Sequence, residues 1–466
     1  MNTRPFVSPF LLPLAAFAAA IAAGGVLLSL DVCAVDKPVP FVDALFTATS
    51  AVCVTGLATV DVSTVFNRTG QGIIMLLMQL GGLGVVTYST LFLYMISKRI
   101  SLWDRLAVGQ ALLHDSSFHL GRFLQRVIVT VLGIEILGAA LLYALEPDRI
   151  GLFDAAFLAV SGFCNAGFAL WPDNLMQWKN HWGVNLVVMG LIILGGLGFY
   201  VVDELIRYWR RRLRGPAEKL PPLFKPAVPM PSGVRLSFYS RLVLSTTTGL
   251  VFFGALALFL ADLNNAAQNG TPLADRVLAS LFQSVTSRTA GFATQDMAAL
   301  SDAALLITIV LMFIGGSPGS CAGGIKTTTF RVLCSYMAAQ IRGHRQVTVR
   351  GRAMDSNTLN KVMLLFYCSV LTIIVATLLL SVTENGAANH GAAPIQILDI
   401  FFEVVSAFAT VGLSINLTPL LSEPGKFILC VVMFIGRLGP IWFVATIQQF
   451  QSEPAYRYPE NDLPIG

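Results

Sequence analysis

Long apolar segments alternate with shorter ones along this chain of 466 residues. Eight long segments lack the apolar–polar alternation of barrel strands and reach the ~20 residues that a helix needs to cross a bilayer. A shorter apolar segment follows the first, third, fifth and seventh long segments. As a helix it is too short to cross ~30 Å of hydrocarbon, so we expect it to be re-entrant. The pattern predicts an all-α integral membrane protein with eight transmembrane spans, the sixth of them interrupted. The long segments cover about residues 9–30, 71–97, 122–145, 183–206, 236–261, 303–340, 361–382 and 425–449, and the short ones lie near 41–53, 152–164, 275–287 and 396–409.

The composition supports this class, because 55% of the residues are hydrophobic and only 12% are charged. A soluble domain usually carries about 25% charged residues, so soluble globular, disordered and coiled-coil classes are excluded. The first segment follows Arg4, as the apolar core of a signal peptide would follow its basic end. Because it is longer than the roughly 7–15 apolar residues of such a core, we expect a retained span.

Basic residues are concentrated in alternate loops. The loops between spans two and three, four and five, and six and seven are rich in Lys and Arg, whereas the first two outer loops are rich in acids. The positive-inside rule therefore predicts a multi-pass protein with both termini in the cytoplasm and re-entrant segments that enter from outside. Short basic loops beside spans indicate topology rather than nucleic-acid binding. The seven cysteines form no C-x-x-C pair, so neither a disulfide framework nor a zinc site is expected.

Four short motifs resemble one another, and each has a glycine followed by Leu or Phe. These glycines are 111, 124 and 121 residues apart, and a second glycine-rich motif follows them after 25, 28, 24 and 24 residues. Because the two motifs recur together at nearly constant spacing, they predict four helix–re-entrant pore loop–helix repeats in a pseudo-fourfold arrangement around a central pore. The motifs are V-C-V-T-G-L (52–57), F-C-N-A-G-F (163–168), S-R-T-A-G-F (287–292) and F-A-T-V-G-L (408–413). We expect the repeats at 1–100, 101–215, 216–345 (with a broken second helix and a gate loop) and 346–466 (with the C-terminal tail).

The loops that contain these glycines predict a cation site made of backbone. Irregular backbone at membrane depth is tolerated only inside protein or along water, and glycine lets successive carbonyls turn toward one axis. Rings of such oxygens replace the water shell of a dehydrated monovalent cation, which the C-terminal end of each short helix also favours. The alternative is that the glycines only allow close helix packing. The candidate ring residues are Val54, Thr55, Gly56, Asn165, Ala166, Gly167, Thr289, Ala290, Gly291, Thr410, Val411 and Gly412.

The third and fourth copies predict a gate. The segment G-G-S-P-G-S-C-A-G-G-I-K interrupts the sixth span, because its glycines and proline disfavour a helix. Arg437 lies deep in the eighth span, where a charge usually faces a cavity or a partner. We expect the segment to cross the cytoplasmic half of the pore, held partly by Arg437 on its carbonyls; the alternative is a simple kink with a snorkelling Arg437. The gate candidates are Gly315, Gly316, Ser317, Pro318, Gly319, Ser320, Cys321, Ala322, Gly323, Gly324, Lys326 and Arg437.

Other residues near these motifs carry weaker expectations. Gly81, Gly84, Gly195 and Gly198 of the two G-G-L-G motifs are expected to allow close backbone approach. Arg288, beside the third loop, is expected to pair with an acid or with loop carbonyls. Asp61 and Asp296 either attract cations at the mouth or are inert surface acids.

Together these motifs resemble the Trk/Ktr/HKT superfamily of potassium transporters over nearly the whole chain, and eight spans are most similar to the Ktr membrane subunit. The resemblance implies potassium uptake across the bacterial inner membrane by a homodimer with a cytosolic nucleotide-binding regulatory ring. It also implies filter roles for Gly56, Gly167, Gly291 and Gly412, and gate roles for the 315–326 loop and Arg437. A serine at the first filter position goes with sodium permeation in relatives, so Gly56 favours potassium.

The sequence favours a cation pathway over two other classes of function. An organic-solute transporter would have inverted repeats and ionisable groups at the midplane, whereas these repeats are parallel. An intramembrane enzyme is not expected, because all five histidines fall in loops and no H-E-x-x-H motif occurs. We expect no bound cofactor, with K⁺ as the transported ion. The sequence leaves open whether flow is channel-like or coupled to Na⁺ or protons.

Overall fold

The computed structural model describes residues 11–96, 120–214, 236–263, 265, 270–386 and 395–439, and this part of the chain is mostly helical. The predicted terminal tails, much of the basic loops at 97–119 and 215–235, and the end of the last span lie outside the described residues. The α-helices are α1 (Leu11–Leu28), α2 (Phe41–Cys53), α3 (Val62–Val65), α4 (Arg68–Ile96), α5 (Leu120–Leu145), α6 (Leu152–Cys164), α7 (Trp182–Gly196), α8 (Phe199–Arg214), α9 (Phe238–Ala261), α10 (Leu273–Thr286), α11 (Asp302–Phe313), α12 (Thr327–Ile341), α13 (Ser356–Asn385), α14 (Ile397–Phe408) and α15 (Glu423–Leu438). Strands β1 (Thr348–Val349) and β2 (Arg352–Ala353) form a small antiparallel hairpin.

The four short apolar segments are helices close to the predicted bounds: α2, α6, α10 and α14. Among the longer helices in the described ranges, three are long and apolar enough to cross a membrane: Gln125–Leu145, Phe238–Ala261 and Ser356–Asn385. Helices α7 and α8 meet the same criterion only as a bent pair. The helical membrane class agrees with the prediction, while the count of eight spans stays a prediction.

The prediction of one continuous span at 183–206 is wrong. Helix α7 ends at Gly196, and the chain turns by 110° before the next helix begins at Phe199. Gly198, at φ +93°, lies outside helical conformation. The last carbonyls of α7 do not continue the helix, because Gly196 and Gly195 accept the backbone N–H groups of Ser317 (2.9 Å) and Cys321 (3.2 Å). The second helix of this repeat is therefore broken, as the sequence predicted only for the third.

The interruption predicted within 303–340 is present. Helix α11 ends at Phe313 and α12 begins at Thr327. Ile314 and Ile325 pair at the base of the intervening loop, where Gly315 donates to the Ile325 carbonyl at 2.9 Å. The loop is thus a closed excursion from a helix axis rather than a kink.

Helix packing follows one pattern around the molecule. In each of four groups, called units here, a short helix packs against two longer ones that also touch each other: α1–α2–α4, α5–α6–α7, α9–α10–α11 and α13–α14–α15. The last helix of each unit also packs on the short helix of the following unit: α4 on α6, α7 on α10, α11 on α14, and α15 on α2. The last contact closes the cycle and leaves the four short helices facing a common centre.

Candidate functional site

The loops that follow the four short helices share one backbone conformation. Each has a non-glycine residue in the left-handed region: Val54 (φ 57°), Asn165 (60°), Thr289 (72°) and Thr410 (51°). Two residues later each has a glycine with positive φ: Gly56 (97°), Gly167 (72°), Gly291 (76°) and Gly412 (94°). Residues 54–56, 165–167, 289–291 and 410–412 are called the glycine loops from here on.

The four glycine loops lie against one another in a closed ring. A methyl group on Gly56 would lie 2.5 Å from the Ala166 carbonyl oxygen, and one on Gly167 would lie 2.8 Å from that of Ala290. Gly291 faces the Val411 carbonyl in the same way, and Gly412 faces that of Thr55. Glycine is required at each position by both the positive φ and the missing space. The structure therefore brings all twelve predicted ring residues together.

Hydrogen bonds within each loop use the backbone N–H groups as donors and leave most of the carbonyl oxygens without a donor. Thr55, Ala166 and Val411 each donate to the carbonyl of the serine five residues earlier at 2.8 Å, and Ala290 donates to that of Thr286 at 2.9 Å. The Gly56 and Gly412 N–H groups donate to the Ser50 and Ser406 hydroxyls at 3.0 and 3.1 Å. Within the described residues, eleven of the twelve ring carbonyls accept no hydrogen bond, the exception being Gly167. Carbonyl oxygens without donors, on residues that are mostly buried, suit a cation.

The 315–326 loop lies beside this ring and contacts other units. Its tip is held by unit 2 and by α8, since the Phe199 N–H donates to the Gly319 carbonyl at 2.9 Å. The Tyr239 hydroxyl of α9 donates to the Pro318 carbonyl at 3.1 Å. A methyl group on Gly323 would lie 2.8 Å from the Ala409 carbonyl oxygen, so the loop packs on the base of the fourth glycine loop.

Three cationic side chains bind carbonyls of this loop. The buried guanidinium of Arg437 donates to Cys321 in the loop and, at 2.5 Å, to Gly81 of α4. Lys326 donates to Ala322 at 2.6 Å. Arg288 donates to Gly315 at 3.3 Å, so its partner is a loop carbonyl, one of the two kinds expected. These contacts tie the loop to units 1, 3 and 4.

The second glycine-rich motif brings helix backbones together. A side chain at Gly81, Gly195 or Gly436 would collide with the carbonyl oxygens of Val52, Phe163 and Phe408, each four residues before a ring glycine. The close approach predicted for Gly81 and Gly195 is confirmed. Gly198 also allows a close backbone approach, since a methyl group there would lie 2.8 Å from the Pro318 carbonyl oxygen, but it does so at the corner between α7 and α8.

The mouth acids Asp61 and Asp296 are engaged at helix N-termini. The Asp61 carboxylate accepts from the Ser63 N–H at 2.8 Å, and that of Asp296 accepts from the Ala298 N–H at 3.0 Å. Each caps a short helical turn just after a glycine loop. Their capping role is structural, and attraction of cations stays a prediction.

Two polar residues at the loops were missed by sequence reasoning. Glu403 is fully buried on α14 and accepts from the hydroxyls of Ser414 and, at 3.1 Å, Thr418, beyond the fourth glycine loop. Asn174 donates from its side chain to the Gly167 carbonyl at 3.2 Å. An acid within a short apolar segment is a signal that could have identified Glu403. Asn174 lies in a polar loop that gives no such signal.

Several known proteins are similar to this chain over most of its length. A family model described as TrkH, cation transport protein, matches residues 19–452. Ktr system potassium uptake protein B of Bacillus subtilis (strain 168) is 36% identical over 448 residues, 95% of this chain and 93% of the relative. Potassium/sodium uptake protein NtpJ of Enterococcus hirae is 34% identical over 472 residues, 100% of this chain and 99% of the relative. The solved structure of the potassium transporter TrkH from Vibrio parahaemolyticus shares the fold, with a TM-score of 0.73 over 96% of this chain and 86% of that one at 18% identity.

Proposed function

This chain belongs to the TrkH family of cation transport proteins, and on that premise we propose that it is the potassium-translocating subunit of a bacterial uptake system. The glycine loops form the selectivity filter, with the twelve ring residues supplying backbone carbonyls to a dehydrated K⁺ ion. The pathway runs through a central pore between four pseudo-symmetric repeats with eight spans, in the inner membrane. Both termini lie in the cytoplasm.

One observation carries this proposal: four loops of mostly buried residues meet in a ring, and almost all of the ring carbonyls accept no hydrogen bond within the described residues. A polar group buried without a partner is costly, so such a cluster persists where another ligand satisfies it. The short helices direct their C-terminal ends toward the ring, and this partial negative charge adds to the attraction for a cation. No side-chain carboxylate belongs to the ring, which favours a monovalent over a divalent ion.

The 315–326 loop is the gate, and Arg437 is its latch. The loop joins the base of the ring, and opening requires its bonds to Gly195, Gly196 and Phe199 to break or to move together. Arg437 connects the loop to unit 1 through Gly81. Its guanidinium also places a positive charge near the ion path, which opposes a second cation while the latch is closed.

We infer the partners from the names of the relatives and from the family resemblance. Proteins named as Ktr system components belong to multi-component systems, so this chain works with other components. A homodimer with a cytosolic nucleotide-binding ring is the assembly that the family resemblance implies. Na⁺ is the proposed coupling or activating ion, and one relative is named as a potassium/sodium uptake protein.

The test is transport by purified protein in liposomes. We expect uptake of K⁺ that Rb⁺ inhibits more strongly than Na⁺, measured with and without Na⁺ to reveal coupling. Gly56→Asp fills the ring and should abolish uptake, whereas Gly190→Ala should not, because nothing lies within 4 Å of that position. The proposed filter would be refuted if liposomes that contain the wild-type protein took up no K⁺, or if the Gly56→Asp variant kept full uptake.

A further inference from the structure

Asn174 connects the second glycine loop to the third. It lies seven residues after Gly167, in the left-handed region at φ 56°. Its side-chain N–H donates to the Gly167 carbonyl at 3.2 Å, and its side-chain oxygen accepts from the Ala293 N–H at 3.3 Å. Leu175, the next residue, donates its own N–H to the Ala293 carbonyl at 3.0 Å. One short turn therefore binds the outer ends of two neighbouring loops.

The two partners of the Asn174 side chain define its orientation. A carbonyl can only accept and a backbone N–H can only donate, so a flipped amide would oppose like groups at both ends. Asparagine also tolerates left-handed backbone better than most residues. Its amide is thus suited to this position in both conformation and chemistry.

In the part of the chain that the structure describes, the other three loops lack this connection. Seven residues after their ring glycines lie Ser63, Ala298 and Pro419. Within the described residues, the carbonyls of Gly56, Gly291 and Gly412 accept no hydrogen bond. The outermost carbonyl ring therefore has three free oxygens and one that is shared with a side chain.

We propose that Asn174 is a positioning residue that sets ion specificity, by holding the Gly167 carbonyl in the outermost ring and fixing the second loop to the third. This inference rests on the proposed function of the ring. K⁺ and Na⁺ differ in size, and a ring discriminates between them only if its oxygens stay at a suitable distance and number. Release of one oxygen and one loop lets the ring contract around the smaller ion.

The experiment compares three variants in the liposome assay. Asn174→Gly keeps the left-handed backbone and removes both side-chain bonds. Asn174→Asp keeps the acceptor for Ala293 and loses the donor to Gly167. Asn416→Gly is the matched control, because Asn416 is also left-handed (φ 61°) beside the fourth loop but is exposed and makes no side-chain hydrogen bond in the described structure.

We expect Na⁺ to inhibit K⁺ uptake at about three- to tenfold lower concentration in both Asn174 variants, because both lose the hydrogen bond to the Gly167 carbonyl and a single hydrogen bond contributes about this much. The ratio of the Na⁺ and Rb⁺ inhibition constants is the readout, since it does not depend on how much protein folds. Asn416→Gly should keep the wild-type ratio.

Three outcomes overturn the proposal. An unchanged ratio in Asn174→Gly, while Gly56→Asp still abolishes uptake, rejects the role of Asn174 and leaves the filter intact. A ratio lowered equally by Asn416→Gly assigns the effect to general loosening of the mouth. If the wild-type protein carries no K⁺, the proposed function itself fails and this inference fails with it.

Discussion

At the scale of single residues, glycine spacing predicted more than any other feature, because glycine marks places where a side chain has no room. The ring glycines and the close approach at Gly81 and Gly195 could be read from spacing alone. The roles of Asn174 and Glu403 could not, since their partners are backbone groups and hydroxyls that only the folded chain brings near. A polar side chain gives no sequence signal for a carbonyl partner.

Gly195→Ala should destabilise the protein, because the new methyl group would collide with the Phe163 carbonyl. Overpacking of this kind costs about 1–3 kcal/mol. Thermal unfolding in detergent should show a lower midpoint than wild type. Gly190→Ala, in the same helix and in open space, should leave the midpoint unchanged or raise it through better helix propensity. Equal midpoints for the two variants would contradict the contact.

Glu403→Ala should also lower stability, since it leaves the Ser414 and Thr418 hydroxyls without their buried acceptor. The expected loss is about 1–3 kcal/mol, measured by the same unfolding assay. The exposed Glu423 at the start of α15 provides the control, and its alanine variant should lose about 0.3–1 kcal/mol at most. A loss at Glu403 no larger than at Glu423 would show that the buried bonds contribute little.

At the scale of helices, the short segments were predicted closely and the α7–α8 corner was not. The apolar run continues through Phe199, Tyr200 and Val201, so periodicity gave no sign of a break. The corner depends on bonds from Ser317 and Cys321, over a hundred residues away in sequence. A local sequence pattern cannot predict a bend that a distant loop stabilises.

Gly198→Ala should increase basal K⁺ flux through the proposed gate. The methyl group would lie 2.8 Å from the Pro318 carbonyl oxygen and push the tip of the 315–326 loop. Backbone strain at positive φ adds roughly 1–3 kcal/mol. Gly319→Ala separates the two causes, because it has the strain (φ 68°) without any atom within 4 Å. Rubidium flux in liposomes should rise in the first variant only; a rise in both would assign the effect to strain.

At the scale of the whole molecule, the packing cycle could be anticipated from the four motifs but its closing contacts could not. Lys426 of α15 contacts Asp43 of α2 at 2.6 Å, and both side chains are largely buried. Arg68 and Asp154 join units 1 and 2 with a comparable pair, but the Arg68 side chain is 62% exposed. Charges of opposite sign occur throughout the sequence, so their pairing follows from the fold rather than predicting it.

Lys426→Met should therefore destabilise the protein more than Arg68→Met. Removing one partner of a largely buried ion pair costs about 1–3 kcal/mol, between the values for surface and fully buried pairs. The exposed pair should cost about 0–1 kcal/mol. A double-mutant cycle with Asp43→Asn isolates the pair energy from unfolding data. A coupling energy indistinguishable from zero would mean that the packing cycle of helices closes through apolar contacts alone.

The contact between α15 and α2 has a consequence for biosynthesis. The two charged residues that join there are 383 positions apart in the chain. A ribosome therefore delivers the first short helix into the membrane long before its last neighbour exists. Until that neighbour is made, the cycle of helices is incomplete on one side. The polar backbone of the first glycine loops must then be kept away from lipid, by contact with water or with the insertion machinery.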